Sequence, residues 1–412
     1  MYNKVSRLEV AYIPFSTIVF LACPILALPL ILWGVYKRYK GVFSLLSLFM
    51  ALMAFLTAPL SDLYRHAMIY NSYVYLSYSG FWNTIENDFL TQLISYECAR
   101  KHIPFDYIRL FYLFLFYLIN LTLFERIIRD GGRKYTNKDY FLRFLIFFLG
   151  LNFFGATIGV RGGLALSFYV WGAYYLLCKR YIGKAIIIFS ISTIIHFSFF
   201  YFVIILIVFQ LVPLSRRNSI IVIAISLVLA NLVITHMSVY FTANDLQGAD
   251  YLGDGQWGRD AEGTKSFMGK LFTLIVSMVQ IPYIIFLYRN YDKNNALVRW
   301  LVAVLIIASL VYPLDTVFSR VRPLFSSMSM FFVLLVEGNL KKSISAKFLN
   351  WFMICAILNV SCIVYSNRGI IAASRYADIY KPVPILLSST YNNYWIYKNV
   401  DINGVMKTDN GK

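Results

Sequence analysis

The chain has 412 residues, of which 59% are hydrophobic, 18% aromatic and only 14% charged, with a formal net charge of +18. Soluble chains carry about 25% charged residues, so this composition excludes an ordinary soluble domain and predicts a polytopic membrane protein. The surplus of Lys and Arg falls mostly in alternate loops, the positive-inside pattern, and no basic stripe on a soluble module remains for nucleic acid to bind.

The first apolar run, Ala11 to Tyr36, reads as one retained span, too long for a signal-peptide core, crossing inward to Lys37, Arg38 and Lys40. Val42 to Leu60 returns to a tyrosine-rich outer segment, 61–106. Within it Asp88 is placed to cap a helix starting at Phe89, read either as an interfacial piece or as a structured loop. Tyr107 to Phe124 crosses back to a basic inner loop with Arg126, Arg129, Arg133, Lys134, Lys138 and Arg143. Phe144 to Ile158 goes out, and Gly162 to Cys178 returns to Lys179, Arg180 and Lys184, which puts Arg161 at the outer boundary.

Ala185 to Val212 lies between two inner basic clusters, the second being Arg216 and Arg217; two short helices turning near His196 keep both clusters inside. Ile220 to Met237 leads to a second outer loop, 238–266, whose glycines and acids suit a mobile lid. Phe267 to Tyr288, Trp300 to Tyr312, Leu324 to Val336 and Phe348 to Tyr365 follow, with an outer boundary segment at 313–322. The fold class is therefore all-α and polytopic, with about ten full transmembrane helices plus a short-helix hairpin. An integral membrane domain spans 1–366 and a polar tail 367–412. Cys23, Cys178, Cys355 and Cys362 fall inside apolar runs and Cys98 stands alone, so neither a disulfide framework nor metal-ligand spacing is indicated.

Inner-side cations orient the chain and need no further role. Those at the outer boundary do, because charge near lipid is costly and faces a protein interior or a wet cavity. They collect in SDLYRHAMIY (Asp62, Tyr64, Arg65, His66), in GVRGG (Arg161) and in PLDTVFSRVRP (Asp315, Arg320, Arg322). Arginine bonds phosphate bidentately and stays charged, which suits holding a pyrophosphate and stabilising it as it leaves. His196 suits a general base near neutral pH, with Asp62 and Asp315 the other acids available for that work or for pairing with arginine.

The stretches Asp62 to Tyr70, Arg161 to Ala165 and His196 to Ser198 resemble the EpsG-type, Wzy-like polysaccharide polymerases. That resemblance implies a C-type membrane glycosyltransferase fold in the bacterial inner membrane, working at the periplasmic face without metal or other cofactor. Its substrate would be an oligosaccharide on undecaprenyl pyrophosphate, with membrane lipids and a chain-length regulator as further partners. The implied catalytic set is His196, Asp62 and Arg161, with Arg65, Tyr64, Arg320, Arg322 and Asp315 binding substrate. Where many members have Arg-Gln this chain has Arg161-Gly162. Two other readings fit an outward site: a transferase using a sugar on polyprenyl phosphate, and a flippase or transporter of lipid-linked oligosaccharide, although no internal repeat is evident.

Overall fold

A computed structural model describes residues 7–407, apart from 86, 245–270, 272–274, 276–277, 293, 315–316, 319–320, 323, 325–328, 339 and 341–342. The described elements are helical; no strand occurs among them, and an isolated bridge pairs Val400 with Met406. Of the described helices, three are long and apolar enough to cross a membrane: Phe105–Asp130, Arg216–Ala243 and Ala346–Ser366. Other apolar helices run 10–17 residues, so the expectation of about ten full crossings is not established by helix length.

The run from Ala11 to Tyr36 is not the single span expected. It forms two helices, α1 (Arg7–Ala22) and α2 (Pro24–Lys37), because Cys23 is extended at φ −160° and Pro24 has no N–H with which to continue the ladder. The chain doubles back there, and the Tyr12 hydroxyl donates to the Leu30 carbonyl at 2.5 Å. Gly34 permits the close return, since a Cβ on it would stand 3.1 Å from Tyr12 Cε1 of α1. After α3 (Val42–Phe55) the outer segment is largely helical: α4 (Asp62–Ser72), α5 (Tyr78–Thr84) and α6 (Phe89–Arg100), leading into α7 (Phe105–Asp130).

The outward run expected at Phe144 to Ile158 is also divided. Thr136 caps α8 (Asn137–Gly150) by accepting from the Asp139 N–H, so Arg143 lies within a helix and not in a loop. Asn152 caps a fresh start, α9 (Phe153–Ile158), which leads directly to α10 (Val160–Tyr174) and a π-helical turn, Tyr175–Lys179. Next come α11 (Ile182–Ile195) and α12 (Phe199–Gln210), with His196 in the break between them, then α13 (Arg216–Ala243). The remaining apolar helices are α14 (Ile281–Arg289), α15 (Ala296–Val311), α16 (Ser329–Gly338) and α17 (Ala346–Ser366). The acid-rich loop at 238–266 lies largely outside the described residues, although its first part continues α13.

Turns rich in basic residues gather at one end of the bundle. Arg38 Nη2 donates to the carbonyls of Tyr135 and Thr136 at 2.7 and 2.9 Å, and Lys179 Nζ meets Asp130 Oδ2 at 2.9 Å. Arg143 forms a two-pronged pair with Glu337, Nε to Oε2 at 3.0 Å and Nη2 to Oε1 at 2.7 Å. The same carboxylate accepts from Ser343 Oγ and the Ile344 N–H. These cations therefore pack helix ends together as well as marking a side.

The segment after α17 is folded. Short helices α18 (Arg368–Ala373), α19 (Val383–Ser388) and α20 (Asn393–Asn399) bury Tyr391, Ile396 and Val400 against Ala58, Leu60 and Ala67.

Candidate functional site

Asp88 organises the other end of the bundle. It occupies the cap position of α6, as expected, but in the left-handed region at φ 59°, ψ 41°, with no side-chain bond to that helix. Such a conformation costs a non-glycine residue of order 1–3 kcal/mol, least for Asp and Asn. It turns the carboxylate toward the break between α11 and α12. There Oδ1 accepts the Phe197 N–H at 2.7 Å, a donor orphaned where α11 stops and His196 becomes extended. Both carboxylate oxygens stand 3.0 Å from His196 Nδ1, and Arg161 Nη1 meets Oδ2 at 2.8 Å. Three sequence-distant segments thus converge on one carboxylate.

The protonation pattern follows from donor and acceptor rules. A carboxylate can only accept, so His196 carries its proton on Nδ1, leaving the Nε2 lone pair available. Burial pushes the Asp88 carboxyl up, but the His196 hydrogen bond, the Arg161 guanidinium and the Phe197 N–H oppose it and hold the group below the usual carboxylate range. Asp88 is 7% exposed, whereas the His196 and Arg161 side chains remain 24% and 33% exposed. The acid is sealed in while its two partners reach the open.

Asp62, expected as a catalytic acid or base, forms a neighbouring cluster on the first turn of α4. It pairs with Arg65 Nη2 and with His66 Nε2, the latter at 3.4 Å. Burial raises its carboxyl, but His66, Arg65 and the nearby Arg161 charge pull it below the ordinary range. Arg161 therefore stands in the field of two carboxylates. Tyr64 lies on another side of α4, packed with Ala67, Tyr391 and Ile396. Arg322 is partly buried between Val321 and Leu324, and no described acid pairs with it. Asp315 and Arg320 lie outside the described residues.

The glycines after Arg161 have separate uses. A Cβ on Gly163 would come 3.0 Å from Ala156 Cα, so its absence lets α10 press on α9; a Cβ on Gly162 would rest 3.9 Å from His196 Cδ2, an ordinary contact. Sequence reasoning did not link Asp88 to His196 or Arg161. The available signal was an acid before an apolar helix in a segment already suspected of facing a cavity, but its partners lie 73 and 108 positions away. Among the described residues, no group of three or more His, Cys, Asp or Glu could hold a metal ion.

An all-helical membrane protein with an acid–histidine–arginine site at the end remote from its basic turns is the class that these features define. The chain belongs to the EpsG family, whose model matches residues 40–377, and α19 and α20 lie beyond the match. Membership makes it a membrane protein of polysaccharide-polymerase type, handling lipid-linked saccharide. No curated protein and no solved structure matches it.

Proposed function

We propose that the protein polymerises lipid-linked oligosaccharide repeats at the periplasmic face of a bacterial inner membrane, transferring the growing glycan from undecaprenyl pyrophosphate to a hydroxyl of the incoming repeat. The observation that carries this reading is the Asp88–His196–Arg161 cluster in a chain of the EpsG family. The basic turns at the opposite end support a periplasmic orientation by the positive-inside rule. In this mechanism His196 Nε2 takes the acceptor hydroxyl proton as the oxygen attacks the anomeric carbon. The bond from that carbon to the pyrophosphate oxygen breaks, and the leaving pyrophosphate keeps the electron pair. Arg161 stabilises that growing charge, with Arg65 on the adjoining α4 assisting. Asp88 holds the imidazole in the tautomer that can accept a proton, and Asp62 orients Arg65 and His66. Arg320, Arg322 and Asp315 remain proposed substrate contacts on the sequence pattern alone. No metal is used in this scheme.

One observation favours the transferase that uses a sugar on polyprenyl phosphate: Asp62 and Asp88, both in the first outer segment, act on the same arginine. Loss of activity on chelation would support that reading. The deciding experiment is a deletion strain complemented with Arg161→Ala. A folded variant that yields only single-repeat surface glycan is expected, and normal long chains would refute the proposal.

A further inference from the structure

The connection between α3 and α4 carries the chain into Asp62, and its polar backbone is held from outside its own sequence neighbourhood. The Leu56 carbonyl accepts both the Arg375 N–H at 3.0 Å and the Tyr391 hydroxyl at 3.0 Å. Thr57 Oγ1 shares a 2.7 Å bond with the Tyr376 hydroxyl, and the Ala58 N–H donates to Ser374 Oγ at 2.9 Å. The Ser61 N–H donates to the Gly404 carbonyl at 2.7 Å. Further along α4, Asn71 Nδ2 donates to Asn393 Oδ1 at 2.6 Å.

Two features make this attachment specific. Gly404 is left-handed at φ +75°, and a Cβ there would stand 2.9 Å from the Ser61 carbonyl oxygen and 3.2 Å from Tyr64 Cβ, so glycine is needed on both counts. Ser61 itself has φ 58° and ψ −135°, a conformation that a serine keeps only where its surroundings impose it. A buried node anchors the middle of the same segment. The Tyr391 N–H donates to Asp106 Oδ2 at 2.7 Å, and Arg109, paired with the other oxygen of Asp106, donates to the Phe55 and Thr57 carbonyls.

We infer that residues 389–406, which lie beyond the family-matched part of the chain, act as a latch that positions α4, and with it Asp62, Arg65 and His66, beside Arg161. The inference rests on the reading of that cluster as the polymerase site. The segment is a positioning element: it acts through the backbone at Leu56 and Ser61, beside the bonds that residues 374–376 make to Leu56, Thr57 and Ala58 from within the matched part. Elongation then depends on a part of the chain remote from the chemistry, because a displacement of the order of 1 Å in a charged group can lower rate about 100-fold.

The test compares Gly404→Ala with Gly369→Ala, whose Cβ would meet nothing within 4 Å. Hydrogen exchange of the full-length protein in detergent and chain elongation in membranes are read side by side. Gly404→Ala should raise exchange of amides 57–72 by about tenfold or more, leave α7 protected, and lower elongation by about 100-fold; Gly369→Ala should do neither. Unchanged exchange in α4, or faster exchange there with normal elongation, overturns the latch. If Gly404→Ala loosens α7 as well, Asn393→Ala decides, and it must give the local pattern with reduced elongation for the inference to stand. A wild-type protein that elongates nothing refutes the polymerase reading, while the exchange measurement still decides whether residues 389–406 hold α4.

Discussion

Two arginine–carboxylate nodes sit at opposite ends of this molecule, and they are built to different standards. Arg143 and Glu337 are 1% and 0% exposed, bonded in two places, with Ser343 Oγ and the Ile344 N–H also donating to Oε1. Asp88 is also buried, at 7% exposed, but the Arg161 and His196 side chains that bond it stay 33% and 24% exposed. A saturated ion pair can hold helices together and do little else. An acid that bonds a partly exposed histidine and a partly exposed arginine leaves both side chains reaching solvent, which the proposed mechanism requires.

The largest expected effect separates rate from stability. His196→Ala should lower chain elongation about 10²- to 10⁴-fold, the range general bases contribute, beyond the about 1–3 kcal/mol of stability lost with its hydrogen bond to the enclosed Asp88. A variant that retains near-normal chain length would place the proton acceptor elsewhere and dissolve the contrast between the nodes. At the saturated node the effect should be reversed. Glu337→Ala strands a buried guanidinium at a cost of about 3–5 kcal/mol, visible as lost folded protein in the membrane. The double variant Arg143→Leu, Glu337→Met should recover much of that loss, because apolar packing can replace a buried pair. Recovery of activity in step with folded protein would confirm that this node has no chemical part.

The parts of this picture that were legible in the sequence are those governed by local pattern. Apolar runs gave the helical class, His196 between two basic clusters gave the break between α11 and α12, and GVRGG marked the start of α10. Hydropathy could not divide Ala11 to Tyr36, since that run is apolar on both sides of Cys23 and the deciding features are Pro24 and the return of Tyr12 onto Leu30. Asp88 was hidden for a different reason. An acid before a helix reads as a cap, and only a left-handed backbone redirects the carboxylate to residues far along the chain. Arg143 was passed over because an inner-side cation already had an explanation, and its partner is 194 positions away. The tail likewise looked merely polar, whereas its bonds to 56–61 depend on Gly404 and Tyr391 meeting a turn that no spacing rule connects to them.

A smaller effect tests the charge state of the open node. The folded Asp88 carboxyl lies below its ordinary value of about 3.9, so its stabilising contribution is fully present above that pH and is lost as pH falls through the depressed folded value. Asp88→Asn should lower stability by about 1.5–3 kcal/mol at neutral pH through weaker hydrogen bonds to His196 and Phe197 and the lost ion pair with Arg161. It should also flatten the acid limb of the stability profile below about pH 4. Parallel profiles for the two proteins would show that the carboxylate is not what joins α6 to the break after α11.

The smallest effect separates two adjacent glycines that flank the same arginine. In a helix interior, glycine to alanine is favourable by about 0.5–1 kcal/mol where space allows, because the unfolded chain loses freedom it would otherwise have to surrender. At Gly162 the new methyl would make an ordinary 3.9 Å contact with His196, so Gly162→Ala should be neutral or slightly stabilising and keep elongation. At Gly163 the methyl would meet Ala156 Cα and Cβ at 3.0 Å, so α9 and α10 must part, at a cost of about 1–3 kcal/mol typical of overpacking. Since Arg161 stands at the start of α10, that parting should also move the guanidinium off Asp88, and Gly163→Ala should lose elongation beyond what its folded amount accounts for. Equal behaviour of the two variants would mean that α10 is not held in register by its contact with α9, and that Arg161 owes its position to Asp88 alone.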